Sequence, residues 1–534
     1  MIRISGIKLP LGKEESSLVK KAADMLSIPI EQITEWKIYK KSLDARKKDQ
    51  IHYVYVLDVA VLKEKELLAR IRKKQICAAP DLTYALPKGK CEINRRPVVV
   101  GFGPAGMFAA LLLAQMGLRP IVLERGGDVD SRRQAVERFW TTGELDPENN
   151  VQFGEGGAGT FSDGKLTTRI KDPRCRKVLE ELVAAGAPAE ILYDSKPHIG
   201  TDLLRDVVRQ IRETICGLGG EVRFHAKATE LRLEQGVVVG IEINGNEWLE
   251  TSDVILALGH SARDTFQMLF DKGVAMVQKP FAVGVRVEHP QHKINAAQYG
   301  AASDMLPPAD YRLTYTTKAG RGVYTFCMCP GGYVVAAASE RNRLAVNGMS
   351  EHARDGNNAN AALLVQVFPE DFENEHPLAG MFWQRELETK AFAAGGGGYI
   401  APIQTVGSFL GRTEEQRFGD VLPTYRPGTR WADMADIFPT FLTEALREAL
   451  PAMGRKLPGF DDNDAVMTAV ESRSSSPVRI LRQESGESPS AMGLYPTGEG
   501  AGYAGGIVSA AVDGIRAAEH VFLKYAAQRQ QRMD

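Results

Sequence analysis

The stretch Val98-Val-Val-Gly-Phe-Gly-Pro-Ala-Gly106 decides the fold of this chain. It predicts a buried strand, a tight turn built on glycines and an apolar, alanine-rich helix from about Met107 to Met116. Strand, turn and helix in this order form the fingerprint of a dinucleotide-binding unit. Because the positive end of such a helix attracts phosphate groups, the stretch predicts a phosphate site at the turn.

The glycines of this turn have separate steric tasks. Gly101 makes the tight turn, Gly103 lets the backbone approach a pyrophosphate, and Gly106 lets helix and strand pack closely. Pro104 and Ala105 lie between them. We predict that all five residues bind the cofactor.

A second strand places a carboxylate after the helix. The segment Pro120-Ile-Val-Leu-Glu124 ends in an acid at the spacing where such folds bind the hydroxyls of an adenosine ribose. We predict that Glu124 accepts those hydrogen bonds, and we include Arg125 in the cofactor site. Without the acid, glycine turns of this kind also occur for packing reasons alone.

Two further glycine-rich segments complete one FAD site. They are Val254-Ile-Leu-Ala-Leu-Gly259 and Gly493-Leu-Tyr-Pro-Thr-Gly-Glu-Gly-Ala-Gly502. Three such segments in this order and at these distances predict FAD rather than another dinucleotide. In the second and third segments and the helix start after them, the predicted cofactor-binding residues are Ala257, Gly259, Gly498, Glu499, Gly505, Gly506 and Ile507.

Over nearly its whole length the chain resembles the glutathione-reductase-type flavoproteins. It is more closely similar to a widespread, largely uncharacterised family of FAD-dependent dehydrogenases (NAD(P)/FAD-dependent oxidoreductases). The resemblance implies FAD and an oxidoreductase, but no particular substrate. It rests on the segments above and on four others: 154–166 (GEGGAGTFSDGKL), 279–290 (KPFAVGVRVEHP), 327–332 (CMCPGG) and 471–479 (ESRSSSPVR).

The resemblance also implies contacts for individual residues. Backbone at Ala226 meets the adenine ring, and Glu499 contacts the ribityl hydroxyls. Leu258 stands where such proteins more often have threonine, a mild departure confined to one motif. The small residues Gly157, Ala158, Gly159 and Thr160 predict a loop whose amides approach phosphate or flavin, the alternative being an ordinary surface loop.

The last glycines open an Ala-rich helix that is predicted to run to about Tyr525. Its positive end can hold the N1 and C2 carbonyl edge of a flavin, where reduction places negative charge. This arrangement would raise the flavin potential. The helix also reads as plain core packing, and the two interpretations are compatible.

The composition is that of a large globular protein with no export signal. Its 534 residues are 44% hydrophobic and 25% charged, with a net charge of −1. The longest apolar runs are interrupted by glycines, which argues against membrane spanning. Six cysteines without a framework spacing favour free thiols in a reducing compartment. We therefore predict a cytoplasmic protein, with no membrane partner and no metal site.

We predict an α/β protein of three units. A small, ferredoxin-like N-terminal α/β domain precedes a Rossmann-like FAD domain of three layers, with a parallel sheet and a β-ribbon, into which an α+β substrate domain is inserted. The predicted ranges are 1–90 for the N-terminal domain, 96–262 and 476–534 for the FAD domain, and 263–475 for the substrate domain.

The N-terminal domain is basic. Residues 1–96 contain 21 Lys and Arg against 12 Asp and Glu. We favour the interpretation that these basic residues lie on a solvated hairpin loop and helix face, without a binding role. The alternative is a surface that docks on RNA or on a protein partner, and nucleic acid binding is therefore an open but less favoured hypothesis. The sequence predicts no oligomeric state.

The sequence of the insertion predicts a substrate domain. Strands are predicted at 281–287 and 333–338, and a helical polar stretch at about 359–390. No second strand-linked GxGxxG with a following acid is present in the sequence of this region. An NADH or NADPH donor would therefore have to bind transiently over the flavin.

Hydride transfer at a flavin needs orientation and one proton donor or acceptor, so it leaves a faint sequence signature. Arginines would suit an anionic substrate. For His289 a structural role at the end of a strand is the favoured interpretation over that of a base. The predicted catalytic residues are Lys165, Arg286, His289, Cys327, Cys329 and Arg473.

Cys327 and Cys329 also permit a thiol-linked flavin reductase. Residues i and i+2 of a strand share a face, but a disulfide between them is strained. Two small thiols beside the cofactor are the favoured alternative. The main expectation is a FAD-dependent oxidoreductase that transfers a hydride between flavin N5 and a small, anionic substrate that the sequence does not identify.

Overall fold

The computed structural model describes residues 1–87, 89, 93–372 and 374–533, and the side chains of the last helix as far as residue 526. In the N-terminal unit the apolar side chains of the first strand alternate toward a buried face that two helices cover. The elements are β1 (Ile2–Pro10), α1 (Leu18–Leu26), β2 (Ile33–Asp44), β3 (His52–Val61), α2 (Glu64–Arg70) and β4 (Ile76–Ala78). The four strands have the order β2-β3-β1-β4, and neighbouring strands are antiparallel.

The central part of the chain contains the fingerprint and the ribbon. The predicted β-ribbon is present: strands Ala228–Glu234 and Val237–Ile243 are antiparallel, and a third strand, Glu247–Glu250, pairs with the second. The elements are β5 (Val98–Val100), α3 (Pro104–Gln115), β6 (Ile121–Leu123), α4 (Val129–Thr142), α5 (Arg174–Ala184), α6 (Thr201–Gly217), β7 (Glu221–Arg223), β8 (Ala228–Glu234), β9 (Val237–Ile243), β10 (Glu247–Glu250), β11 (Val254–Leu256) and α7 (Arg263–Asp271).

The insertion and the return of the chain follow. The insertion contains β12 (Met276–Gln278), β13 (Phe281–Pro290), α8 (Gln291–Tyr299), β14 (Thr314–Thr316), β15 (Gly322–Cys329), β16 (Tyr333–Ala336), β17 (Val346–Met349), β18 (Asn358–Val367), α9 (Ala379–Ala394), β19 (Ala401–Thr405), α10 (Val406–Phe409), β20 (Thr429–Trp431), α11 (Thr440–Gly454) and β21 (Val466–Glu471). The return contains β22 (Val478–Ile480), β23 (Leu494–Pro496) and α12 (Ile507–Met533).

A parallel sheet holds the fingerprint. Its order is β23-β11-β5-β6-β7, so the return supplies an edge strand, and every neighbouring pair is parallel. α3 is buried over most of its length between this sheet and α12. A Cβ added to Gly514 would lie 2.0 Å from the carbonyl oxygen of Ala105, so α12 crosses the start of α3 in backbone contact. No helix within the described residues is long and apolar enough to cross a membrane.

A seven-stranded sheet, β14-β15-β18-β13-β21-β19-β20, forms the centre of the insertion. The prediction of a helical stretch at about 359–390 is wrong in its first part. Residues 358–367 form β18, which is buried along most of its length because it lies between β13 and β15, and only 379–394 form a helix, α9. Burial on both faces removes the alternation that would have identified this strand.

The N-terminal sheet continues into the rest of the protein. Lys41 in β2 donates its backbone N–H to the carbonyl of Tyr193 at 2.7 Å, and Ser195 N–H donates to the carbonyl of Lys41 at 2.8 Å. Ile51 contributes to the same buried core as the seven-stranded sheet. The N-terminal unit is therefore fixed to the rest of the protein by backbone hydrogen bonds and by apolar packing.

The buried carboxylate of Glu388 joins α9 to Arg263 and to Arg473. Glu388 on α9 accepts hydrogen bonds at 2.7 Å from both terminal nitrogens of Arg263 on α7. It also accepts two bonds at 2.9 Å from Arg473. Glu388 is fully buried, and the neighbouring guanidinium groups hold its pKa far below the usual range, against the effect of burial. One carboxylate thus bonds two buried guanidinium groups, of which Arg263 also pairs with Glu340 at 2.6 Å.

We expect Glu388→Gln to destabilise the protein strongly, because Arg473 loses its buried counter-charge and Arg263 keeps only its pair with Glu340. Breaking a buried ion pair costs roughly 3–5 kcal/mol, whereas an exposed pair contributes about 0–1 kcal/mol. Glu386→Gln on the same helix is the control, since Glu386 pairs with Lys390 at the surface. Calorimetric melting of both variants should show a large fall in Tm for the first only, and equal shifts would contradict this account.

Candidate active site

A single long cleft lies between the parallel sheet and the seven-stranded sheet. Its volume is about 1260 Å³. Residues at the carboxyl ends of β5, β6 and β11 form one wall. In open α/β sheets, ligands bind at this end of the strands. Residues of β15 and β21 form the opposite wall. Pockets for one drug-sized ligand measure about 300–1000 Å³, so this cleft has room for more than one small molecule.

Gly101 and Gly106 have the steric tasks that the sequence predicts. Gly101 has φ +93°, and a Cβ there would lie 2.4 Å from the carbonyl oxygen of Ala257. A Cβ on Gly106 would lie 1.9 Å from the carbonyl oxygen of Gly101. Gly103 is the N-cap of α3, so the first free amides of the helix face the cleft. No residue with a side chain fits at Gly101 or Gly106 without moving the backbone.

Glu124 is buried and organises the same end of the cleft. Its Oε2 accepts the backbone N–H of Phe102 at 2.8 Å, and its Oε1 accepts those of Gly126 and Gly154 at 2.9 Å. A carboxylate has about four acceptor positions, so Oε2 retains room for one further donor. Glu124 can therefore accept one ribose hydroxyl at Oε2, whereas Oε1 is already occupied by two backbone N–H groups.

Arg132 on α4, which the sequence analysis missed, holds the loop beneath Glu124. It is fully buried, and it donates to the carbonyls of Asn150 and Val151 at 2.9 Å and of Glu155 at 2.7 Å. Burial lowers the pKa of Arg132 to about 10, with Glu124 acting in the opposite direction. The guanidinium donates to four loop carbonyls, the fourth being that of Gly154 at 3.3 Å, which fixes a segment without regular structure.

The predicted glycine loop closes over the fingerprint turn. Residues 157–161 form a short 3-10 helix, and a Cβ on Gly157 would lie 2.8 Å from Cα of Gly103. A Cβ on Gly159 would lie 3.4 Å from the side chain of Ile507 at the start of α12. The turn, the loop and the last helix therefore meet around one point of the cleft.

Most of the predicted cofactor residues line the cleft. Those that do are Gly101, Gly103, Pro104, Ala105, Glu124, Arg125, Gly157, Ala158, Gly159, Ala226, Ala257, Gly259, Glu499, Gly505, Gly506 and Ile507. Gly106, Thr160 and Gly498 lie behind this wall. Thr160 donates to the carbonyl of Glu155, and Gly498 donates its N–H to Asp513 at 2.8 Å.

Arg125 lines the cleft but its hydrogen bonds go to other partners. Its terminal nitrogens donate to Asp264 at 2.8 and 2.9 Å, and its Nε donates to Glu148 at 2.6 Å. The guanidinium also lies over the ring of Phe153, 4.1 Å from its centroid. In the structure it links the start of α7 to Glu148 and Phe153.

Glu499 stands alone at the cleft end near α12. Burial raises its pKa to about 7, and the charge of Lys279 acts in the opposite direction. Burial also lowers the pKa of Lys279, which lines the same part of the cleft. No hydrogen-bond partner for the Glu499 carboxylate occurs among the described residues, so it can take a ligand hydroxyl.

Two predicted catalytic residues do not face the cleft, and the prediction is corrected. Arg286 is fully buried and saturated: its Nε donates to Glu471 at 2.9 Å, and one Nη donates to the carbonyl of Cys327 at 2.7 Å. His289 stacks on Phe460 in the core and its Nε2 bonds the Phe460 carbonyl at 2.8 Å. Burial lowers the pKa of His289 to about 4, so its ring is neutral.

Arg473 and Lys165 do line the cleft. Arg473 is held by Glu388 and donates to Ser261 at 3.2 Å. The Nζ of Lys165 lies 3.7 Å from Asp163, beyond hydrogen-bond distance, and its side chain is 30% exposed. Lys165 therefore has donors free for a ligand, whereas Arg473 mainly positions the wall.

The two cysteines also line the cleft, as free thiols. A bulge with φ +40° at Cys327 breaks the strand, so Cys327 is exposed in the cleft while Cys329 is buried. Enclosure in the cleft raises the pKa of Cys327 to about 12 against the charges of Arg286 and Lys165, and burial raises that of Cys329. Neither thiol is a ready thiolate nucleophile. Cys91 lies outside the described residues.

The sequence analysis missed several charged groups of the cleft. Asp163 and Lys279 lie inside segments that were quoted for the family resemblance, which was the only signal for them. Arg169 and Arg312 line the cleft with no side-chain partner among the residues that the structure describes. His260 was also missed: burial lowers its pKa to about 3, and its Nδ1 lies 2.9 Å from Oγ of Ser261.

Comparison with known sequences identifies the family. Residues 280–474 match the family model "FAD-dependent protein, C-terminal domain-like", and residues 1–60 match "Domain of unknown function (DUF8436)". A protein of Clostridium beijerinckii, described as "Uncharacterized protein", is 52% identical over 528 residues, which is 98% of this chain and 99% of the other. The chain belongs to this family of FAD-dependent proteins. The turn glycines Gly101, Gly103 and Gly106 and the loop glycines Gly157 and Gly159 form a glycine cradle. This cradle, Glu124 and Glu499 fit FAD.

The solved structures that match this chain are more distant. The flavin-dependent brominase Bmp2 is 14% identical, with 80% of this chain and 79% of the other covered and a TM-score of 0.37. A geranylgeranyl bacteriochlorophyll reductase-like protein of Thermoplasma acidophilum is 13% identical, with coverage of 82% and 81% and a TM-score of 0.34. CtdE in complex with FAD is 13% identical, with coverage of 79% and 82% and a TM-score of 0.28.

We expect Gly106→Ala to reduce the FAD content of the purified protein severalfold. The new methyl group would meet the carbonyl oxygen of Gly101, a backbone atom, so the turn or the helix must shift. Gly217→Ala is the control, because a Cβ there meets nothing within 4 Å. The ratio of flavin absorbance to protein, measured after unfolding, checks this, and an unchanged ratio in Gly106→Ala would refute the assigned role.

Proposed function

We propose that this FAD-dependent protein is an oxidoreductase that transfers a hydride between flavin N5 and a small anionic substrate in the cleft. The observation that carries the proposal is the cleft itself: the glycine cradle lies in one wall, and free cationic side chains lie in the same cavity. When bound, FAD supplies the two-electron chemistry. The protein supplies orientation and charge.

The charge of the cleft supports an anionic substrate. Several cations that line it are already paired, as Lys196 is with Asp310 at 2.6 Å. Among the described residues, Lys165, Arg169, Lys279 and Arg312 make no close ion pair. Unpaired cations in a partly desolvated cleft attract anions strongly and exclude cations.

Proton transfer is the task for which the chain offers few groups. Glu499, whose pKa lies at about 7, can hold or release a proton on its carboxylate near neutral pH. His260 stays neutral and can only orient a ligand or its neighbour Ser261. We therefore propose Glu499 rather than His289 as the group that exchanges a proton in this cleft.

A nicotinamide donor would enter the same cleft. The sequence contains no second dinucleotide fingerprint in the insertion, and the cleft volume exceeds that of a site for one small ligand. We propose that NADH or NADPH binds transiently and leaves before the acceptor enters. The raised pKa values of Cys327 and Cys329 argue against a thiol relay in between.

Anaerobic stopped-flow mixing of the FAD-loaded protein with NADH or NADPH tests this proposal. We expect rapid bleaching of the oxidised flavin band with at least one of them. Dithionite is the control that the bound flavin can be reduced. If dithionite bleaches the band while both nicotinamides leave it unchanged, the nicotinamide part of the proposal fails.

A further inference from the structure

Arg354 and Asp163 form a preorganised pair in the cleft that no part of the proposed reaction uses so far. Asp163 accepts Nε of Arg354 at 3.0 Å, a terminal nitrogen of the same side chain, and the hydroxyl of Ser350. Arg354 has a left-handed backbone with φ +52°, and its side chain is 13% exposed. The second terminal nitrogen, Nη1, has no partner among the described residues.

The guanidinium is thus fixed in orientation with one edge free. A fixed Arg loses little rotamer entropy on binding, and its planar donors match a carboxylate in two-point contact. Lys165 adds a second free cation, since its Nζ is 3.7 Å from the same Asp163. Two cations that share one carboxylate leave a net charge of about +1, which suits a monoanion better than a dianion.

A thiol lies beside this pair, and two aromatic side chains line the same cleft. Cys329 lies close by: burial raises its pKa while the charges of Lys165 and Arg354 act in the opposite direction. The thiol therefore does not compete as an anion. Tyr324 and Phe326, two residues apart on β15, line the cleft with their rings in an edge-on arrangement, 6.5 Å between centroids.

We infer that Arg354 and Lys165 bind the carboxylate of the substrate and that Tyr324 and Phe326 contact its apolar body. The substrate class is a monocarboxylate with a planar or aromatic group. This inference rests on the proposed function, and it adds Arg354 as a residue that determines specificity. Aromatic rings contribute about 0.5–1.5 kcal/mol beyond burial when they meet another ring, so an aryl group gains most.

Benzoate is the probe, because a carboxylate bound beside a flavin perturbs the visible flavin spectrum. The FAD-loaded wild type is titrated with benzoate, with its neutral isostere benzamide and with phenyl phosphate. We expect saturable binding of benzoate and at least about tenfold weaker binding of benzamide, the difference that charge-assisted hydrogen bonds give. Arg354→Met should raise the benzoate Kd about tenfold and abolish the preference over benzamide.

The variants separate this role from a general structural one. Arg354→Lys keeps the charge but loses the planar donors, so we expect an intermediate Kd. Lys196→Met is the matched control, since Lys196 lines the cleft but is paired with Asp310. FAD content should be equal in all variants. A variant that loses FAD is replaced in the comparison by Lys165→Met, for which the same loss of benzoate preference is expected.

Four results would overturn the inference. They are no saturable benzoate response in the FAD-loaded wild type, equal binding of benzoate and benzamide, tighter binding of phenyl phosphate than of benzoate, and an unchanged benzoate Kd in the Arg354 and Lys165 variants. A wild type that holds no FAD would instead defeat the proposed function, so the two failures are distinguishable.

Discussion

The close contact between the start of α3 and the turn before it is the constraint on which the site depends. Gly106 approaches the carbonyl of Gly101 so closely that no side chain fits, and Gly101 in turn lies against the carbonyl of Ala257. These contacts bring three chain segments together at the carboxyl ends of the parallel strands. The free amides of α3, the buried Glu124 and the start of α12 then face one cleft.

The wall of the cleft that contains Gly101 and Glu124 could be predicted from the sequence, because its signals are local. Gly101, Gly106 and Glu124 lie in one strand-turn-helix-strand segment, where spacing alone determines which residues meet. The positions of the residues proposed for catalysis could not be predicted in this way, because those residues come from distant strands. Arg286 and His289 are three apart on β13, so they face opposite sides of the sheet, and both are covered by their neighbours.

The position of Arg354 in the cleft could not be predicted from the sequence. It lies in irregular chain between β17 and β18, where neither period 2 nor period 3.6 assigns a direction to a side chain. Its orientation comes from Asp163, which is far away in sequence and was noticed only within a family motif. Charge pairing across the cleft is thus a property of the tertiary structure, and so is the choice of cations that remain free for a ligand.

A crystal structure of the protein with its bound flavin tests the central claim most directly. The account predicts the adenosine half against Gly103 and Glu124, the ribityl chain beside Glu499, and the ring system between the start of α12 and the wall that holds Lys165 and Cys327. A flavin with its ring directed away from the seven-stranded sheet, or bound outside this cleft, would contradict it.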